Sequence, residues 1–530
     1  MTENLLKLSA DYWQTLQLTR DDVDSLHSHL FDTETPLTSM ELVRVLVERR
    51  IEAERKAFAA QKQANGKTYK PKEHYQPGDR LVFPALGWVN GEVKSVRPGQ
   101  NPDLGEFEVL TVLIGGEERQ FAAGLEDHLL NIEEQTLAED DEMLQVDVVL
   151  RKYGPLLEQK LEAALRADGS LVPIAGRWFP RALLLDINAG QLNLAEAVLD
   201  MAGGEPLPPS ALMKDIELPQ NVNPALAEFS LNYALQEYGR FDEVGPAGQV
   251  LWCLERLEPE AVRQPPIFLR YTPIPYDPKV LTDDMRAMDA GVDDELSDGD
   301  WLPADDNVRE VTISLLYPHW RAGTLPISKR MHSLFPTAYI SPRVRFMLVD
   351  ARTGQKMPAW VVRQQGYVYG LADWYKKQEL MPGSLIRVRR SDKMGEVLLE
   401  AQSRRANRDW VRTAIVGTDG GLVFAMLKQV IASDFNERMV VAVPDPDAVD
   451  KLWAQKSSQP LESVVVGLMR ELSKLTPQGH VHAQELYSAL NLLRRCPPAP
   501  LLSLLVSRPG FVHVGDLYFR LDEAILKREG

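Results

Sequence analysis

The sequence predicts a multidomain α+β protein in which small β-barrels alternate with short helical units that end in a hairpin. Three observations predict it. A chain of 530 residues, 44% hydrophobic and 25% charged, is long enough for several separately buried cores. Two stretches, 75–131 and 307–412, are built of short β-branched and aromatic runs separated by Gly, Asn and Asp turn signals, the pattern of a small barrel. Elsewhere helical spacing dominates, and the order helix, helix, helix, hairpin occurs twice, over Leu192–Leu254 and Leu461–Leu521.

Taken in order, residues 1–70 read as a helical N-terminal domain. Val43, Leu46, Val47 and Ile51 share one helical face, and Thr38-Ser39-Met40-Glu41 is a capping-box pattern that starts this helix. Residues 75–131 change to strands at Gly78–Phe83, Trp88–Val96, Phe107–Val112 and Arg119–Ala122, which predicts a five-stranded barrel. Glu133–Glu142 is an acidic linker. Gln145–Arg166 is helical and runs into a hairpin at Leu171–Phe179, opening a helix-and-hairpin region over 145–270. In the two repeated segments Phe241, Val244 and Gly245 match Phe511, Val514 and Gly515 in offset.

Residues 281–306 hold about ten Asp and Glu and a single Arg, a composition expected of an acidic linker, disordered or loosely attached. The next segment has the opposite sign. Residues 309–412 carry about 19 Lys and Arg against about 8 Asp and Glu, in a chain whose net charge is -17. Strands are expected at Val311–Leu316, Arg345–Val349, Ala359–Arg363, Tyr367–Leu371, Ser384–Arg389 and Glu396–Glu400, with helical pieces at Ser328–Phe335 and Ala372–Glu379. Residues 413–455 read as a small α/β appendage: a strand at Thr413–Gly417, a helix at Gly421–Ala432, a strand at Met439–Val443 and a helix at Asp445–Ala454. Residues 461–525 are the second copy of the helical unit.

Several of these stretches resemble known domains. Leu325-Pro326-Ile327-Ser328 through Leu334-Phe335-Pro336, Trp360-Val361, Tyr367 through Trp374, and Leu380-Met381-Pro382-Gly383-Ser384 resemble the B-three pseudobarrel over 309–400, a DNA-binding domain of plant transcription factors also used by some restriction enzymes. Ser384 stands where that family usually has Asp. The segments 192–257 and 461–522 resemble winged helices, and His482-Ala483-Gln484-Glu485-Leu486-Tyr487 with the following hairpin is similar to the HARE-type winged helix of the RNA polymerase delta subunit. Gly78-Asp79-Arg80-Leu81-Val82 through Gly91-Glu92-Val93 is similar to SH3-like barrels of the Tudor, KOW and CarD type.

The concentration of cations in 307–412 points to a polyanion, and double-stranded DNA is the expected partner. The pseudobarrel resemblance implies two arms in the major groove, here the loop His319-Trp320-Arg321 and the turn Arg363-Gln364-Gln365; Arg and Gln have the forks to read guanine and adenine edges. Lys329, Arg330, Arg387, Arg389 and Arg390 are further expected DNA-binding residues, with Arg389 meeting phosphates from outside the groove. The function expected is that of a non-enzymatic DNA-binding regulator or accessory protein. The alternative is a protein-interaction scaffold, on RNA polymerase or in a defence complex, with no DNA contact of its own. In the first helical repeat Asn223, Glu228, Asn232, Gln236 and Glu237 make the third helix acidic, which favours docking to protein.

No catalytic constellation, phosphate loop or dinucleotide fingerprint is present, so neither catalysis nor a cofactor is expected. His27 with His29 and His480 with His482 lack further ligands at metal spacing, and no metal is expected. Cys253 and Cys496 sit far apart in apolar segments, which argues for a reducing cytoplasm. No run reaches membrane-spanning length, and no membrane is expected as a partner.

Overall fold

The computed structural model describes residues 11–64, 67–86, 89–101, 105–128, 130–131, 142–219, 221–303, 307–339, 341–418 and 420–525. The protein is a mixed α+β chain with six sheets among the described residues. It divides into two compact units, one formed by residues up to Asp186 with Gln220–Ser230, the other by Ile187–Pro219 with Leu231 onward.

In the first unit, helix Arg20–Thr33 is followed by strand β1 (Leu37–Thr38) and helix Ser39–Ala64. The predicted capping box forms: the Glu41 amide donates to Thr38 Oγ1 at 3.2 Å and the Thr38 amide to Glu41 Oε2 at 2.7 Å. Leu42, Val43, Leu46, Val47 and Ile51 are buried along one stripe. The chain then makes a five-stranded sheet, β2 (Lys67–Thr68), β3 (Arg80–Phe83), β4 (Val89–Pro98), β5 (Glu108–Ile114) and β6 (Glu117–Ala123), ordered as numbered. Tyr69, Tyr75, Leu81, Phe83, Val93, Leu110 and Val112 fill its core. Trp88 and most of the acidic run Glu133–Glu142 lie outside the described residues. After helix Val146–Asp168 come β7 (Leu171–Ile174) and β8 (Arg177–Pro180), and β1 pairs with β8 in the order β1-β8-β7.

That pairing corrects the expected division of this region. Residues 1–70 are not a separate helical domain: β1 pairs with a strand 140 residues later in the chain, Leu37 opposite Trp178. Helix, strand, helix, helix, hairpin is one module, and the five-stranded sheet is inserted into it. Trp178 Nε1 donates to Ser39 Oγ at 3.0 Å, tying the hairpin to the start of the helix it covers.

The same order recurs twice in the second unit. Helix Ala189–Met201, a single bridge of Leu207 to Trp252, helix Pro209–Leu212, helix Pro224–Glu237 (of which Leu231 onward belongs here) and strands β9 (Phe241–Glu243) and β10 (Trp252–Leu254) repeat it. Helices Leu461–Leu472, Ala483–Leu490 and Pro498–Ser507, with strands of Val481–His482, Phe511–Gly515 and Tyr518–Leu521, repeat it again. In this last copy the strand before the second helix pairs with the last strand of the hairpin, as β1 does with β8.

Between these copies lies a seven-stranded sheet of β11 (Glu310–Ser314), β12 (Thr324–Pro326), β13 (Arg343–Asp350), β14 (Lys356–Val362), β15 (Tyr367–Tyr369), β16 (Leu385–Arg390) and β17 (Glu396–Ala401) in the order β11-β16-β17-β13-β14-β15-β12. Its period-two burial produces one inner face, with Val344, Phe346, Leu348, Ala359, Val361, Val368, Ile386, Val388, Val397 and Leu399 in a single core. Ser384 is fully buried; its Oγ accepts from the Met381 amide and bonds Ser433 Oγ, both at 3.0 Å. An Asp at this position would be a buried carboxylate.

Two further expectations are corrected here. Residues 421–432 are not a helix: β18 (Ser403–Val416) and β19 (Leu422–Ser433) form a long antiparallel ribbon, and the predicted α/β appendage is this ribbon followed by helix Pro446–Lys456. A run such as Leu-Val-Phe-Ala-Met-Leu has no polar gap to distinguish the two periods, and an available partner strand decided between them. Of the expected linker 281–306, the described residues 281–303 are not loose either, and 304–306 lie outside the described residues. Asp283–Gly291 is a helix, and Leu281, Met285, Met288 and Val292 are buried in one core with the C-terminal copy.

Candidate nucleic-acid interface

Built from its residues, the first predicted arm is closed. Pro318 at the helix start and Gly323 in the left-handed region at its end make Tyr317–Ala322 a short helix rather than a loop. His319 is fully buried, with Nδ1 2.9 Å from Thr324 Oγ1 and Nε2 2.9 Å from Glu295 Oε2. Trp320 donates its indole N–H to Leu380 O at 2.8 Å. Arg321 is held by Asp450, with Nε 2.9 Å and Nη2 2.6 Å from Oδ2, and by Asp447 at 2.7 Å. None of the three is placed to enter a groove.

The acidic segment closes the adjoining surface. Arg330 makes a two-toothed pair with Asp293, its Nε 2.7 Å from Oδ1. Lys329 donates to the carbonyls of Asp298 and Gly299, each at 3.1 Å. Ser328 Oγ donates to Asp293 at 2.8 Å. The space left beside Asp289, Asp293, Ser328 and Arg330 is only about 10 Å³, roughly one water.

Behind this contact is a buried ionic cluster. Arg495 is fully enclosed and bonds Asp294 with Nη1 at 2.9 Å and Nη2 at 2.5 Å, and Glu295 with Nη2 at 2.8 Å. Tyr487 donates its hydroxyl to Asp294 at 2.5 Å. Burial pushes the Glu295 carboxyl up, but Arg495 and His319 beside it more than offset this and hold it well below the usual carboxylate range. Asp289 shows the opposite balance: burial raises it to about 6, although Ser297 and Trp301 donate to it.

The remaining predicted residues are arranged differently. Arg363, Gln364 and Gln365 form an exposed turn after β14, with one Arg363 nitrogen donating to Ser341 O at 2.9 Å. Arg387 and Arg389 point from one face of β16, opposite Thr312 and Glu310 on β11. Arg387 lies 3.7 Å from Glu400, and Arg390 is exposed at the strand end. The structure therefore separates the predicted set into a closed group of five and an open group of six.

Sequence reasoning missed the acidic partners. Arg343 is paired with Asp242 and lies 3.2 Å from Glu258, and Arg345 bonds Glu205 at 3.3 Å, so a second flank of the sheet is covered by the middle helical copy. Arg412 is buried against Glu485 at 3.0 Å. Most of these carboxylates lie outside 309–412. The segregation of charge along the chain is thus repaired in space for part of the segment, at Arg321, Arg330, Arg343, Arg345 and Arg412, and the signal that could have shown it for the acidic run was the helical spacing of Met285, Met288 and Val292.

For other chemistry, no group of three or more His, Cys, Asp or Glu among the described residues is placed to hold a metal ion. His482 is buried with its Nε2 2.6 Å from Arg438, and burial with this guanidinium lowers it to about 4. Cys253 and Cys496 are buried and free. A groove of about 400 Å³ beside Tyr276, Leu461 and Leu504 has Asp277 and Arg508 as its charged lining residues. No described helix is long and apolar enough to cross a membrane. Comparison of the chain with protein-family models, with curated proteins and with solved structures finds no match.

Proposed function

We propose that this protein is a non-enzymatic interaction scaffold rather than a reader of DNA sequence. The observation that carries the reading is the closure of the first arm: His319, Trp320, Arg321, Lys329 and Arg330 are spent on partners within the chain. In this reading the three helical copies are winged helices, the inserted five-stranded sheet is an SH3-like barrel and the seven-stranded sheet is a pseudobarrel. The third helix of the last copy argues against base reading, since Pro498, Ala499, Leu501, Leu502 and Leu505 are buried and its exposed positions, Val506 and Ser507, carry no cation or amide. Resemblance of that copy to the polymerase delta subunit suggests RNA polymerase as the assembly served, with a defence or restriction complex as the alternative.

The test has two arms. The full chain of 530 residues titrated with duplex DNA at low ionic strength is expected to show no salt-dependent binding, whereas a steep salt slope would overturn the reading. Affinity capture after nuclease treatment is expected to retain protein subunits. A second reading rests on the exposed turn Arg363–Gln365 with Arg387, Arg389 and Arg390, which leave a backbone clamp for double-stranded DNA open. A selection from random duplexes separates the two, since a clamp binds without enriching a sequence.

A further inference from the structure

The β18–β19 ribbon carries an exposed face at Trp410, Met426 and Val430. Its geometry follows from one neighbour. The Ala414 amide donates to Ala442 O, and Arg412 O accepts from the Ala442 amide, so at these two residues the β18 backbone points away from β19. Antiparallel pairs alternate between hydrogen-bonded and non-hydrogen-bonded. Arg412–Met426, Trp410–Lys428 and Arg408–Val430 are therefore the non-hydrogen-bonded pairs. It follows that the N–H and C=O groups of Met426, Lys428 and Val430 point to the outer edge of β19, where no further strand is paired among the described residues.

The side chains of these residues lie on one face with Trp410 and Arg408. Trp410 is 61% exposed, Val430 63% and Met426 42%. The far end of the same face is not open, because Ala414, Leu422 and Phe424 are buried in the core with helix Leu461–Leu472. Lys428 sits 5.3 Å over the Trp410 ring. Asp409 is taken by Arg404, while Arg405, Arg408 and Lys428 have no carboxylate partner among the described residues.

We propose that the outer edge of β19 at Met426–Val430 takes an extended acidic segment of a partner protein as an added strand, with apolar, acidic and apolar side chains at alternate positions against Met426, Lys428 and Val430. The proposal rests on the scaffold reading and names the chemistry of one partner. Two features select a peptide over the other occupants. The edge presents carbonyls alternating with N–H groups, which a peptide satisfies and a phosphodiester strand, having no backbone donors, does not. A second copy pairing antiparallel about Lys428 would set two lysines opposite each other, which is unfavourable. The central Lys428 is a charge of the kind that keeps an exposed edge from indiscriminate pairing, and an acidic strand is the partner that neutralises it.

The experiment uses the full chain and a labelled peptide, Thr-Val-Thr-Glu-Thr-Val-Thr, with a counterpart carrying Lys in place of Glu, read by fluorescence anisotropy at low and high ionic strength. The Glu peptide is expected to bind, more weakly as salt rises, and Lys428→Glu to reverse the preference between the two peptides. Val430→Pro removes an outward N–H without touching a bond between β18 and β19, and is expected to weaken the Glu peptide about tenfold with unchanged circular dichroism. If Val430→Pro fails to fold, the charge swap decides. Unchanged peptide affinity in both variants, tighter binding of an oligo-dT strand, or self-association abolished by Val430→Pro would each overturn the proposal. Capture after nuclease treatment distinguishes its failure from that of the scaffold reading. Subunits held equally by wild type and Val430→Pro sink this site alone; wild type that captures none sinks the scaffold.

Discussion

Arg495→Met tests whether the buried ionic cluster is what fastens the acidic segment to the C-terminal copy. Arg495, Asp294 and Glu295 are all essentially inaccessible to solvent, and the guanidinium also bonds Asn491 Oδ1 at 3.1 Å. Methionine fills most of the volume but leaves Asp294 and Glu295 buried without the guanidinium, Glu295 keeping only its His319 contact. Removing one partner of a buried pair costs about 3–5 kcal/mol, and two stranded acids place this case near the upper end. The compact unit concerned spans roughly 330 residues; with an unfolding entropy of about 2.1 cal/mol/K per residue, 4 kcal/mol is a Tm shift of about 6 °C. Scanning calorimetry of the full chain, following the transition of this unit, measures it. The pH dependence supplies a second readout. Glu295 is held below its ordinary value in the folded state, so its contribution is present above the unfolded carboxylate pKa and fades as pH falls below it. The difference between wild type and Arg495→Met should narrow in acid. The triple variant Arg495→Met, Asp294→Asn, Glu295→Gln should recover most of the loss, since it removes the charges together. A loss under about 1 kcal/mol for the single variant, or no recovery in the triple, would refute the reasoning.

Other predictions concern the rest of the second unit. Burial and the neighbouring Asp242 carboxylate push Glu258 up to about 8 despite Arg343, and burial raises Glu243 to about 7. Both bind protons more readily folded than unfolded, so stability should fall as pH rises from the ordinary carboxylate range through 7 and 8, and Glu258→Gln should flatten that slope in thermal melts. Arg330→Ala should lower the stability of the full chain by about 2–4 kcal/mol in urea titrations while leaving any duplex affinity unchanged, because it strands the buried Asp293. By contrast Arg389→Ala should leave stability within about 0.5 kcal/mol, and if the clamp reading holds it lowers the salt slope by about one. Gly383 has φ +96 and an added Cβ would lie 2.3 Å from Val440 Cα, so Gly383→Ala should cost at least about 3 kcal/mol by chemical denaturation.

Much of the local structure was legible in the chain. The capping box at Thr38–Glu41, the strands of 309–400 and the hairpins at Phe241 and Phe511 follow from short-range chemistry, in which each residue constrains neighbours three or four positions away. The first copy of the repeated helical unit could have been read as well: Leu37-Thr38-Ser39-Met40-Glu41-Leu42 parallels Val481-His482-Ala483-Gln484-Glu485-Leu486, each a two-residue strand entering a helix. It was hidden because the inserted five-stranded sheet separates its two halves. What only tertiary structure decided is where the charges end. Composition makes Asp293, Asp294 and Glu295 look solvated and Arg321 and Arg330 look available. Whether a charge meets water or a counter-charge depends on residues as far apart as Glu295 and Arg495, and an ion pair leaves no periodicity in either segment. The ribbon is the same case in the backbone. Residues 422–433 suit either period, and the presence of Ser403–Val416 alongside them, which no local rule specifies, made them a strand and left one edge open.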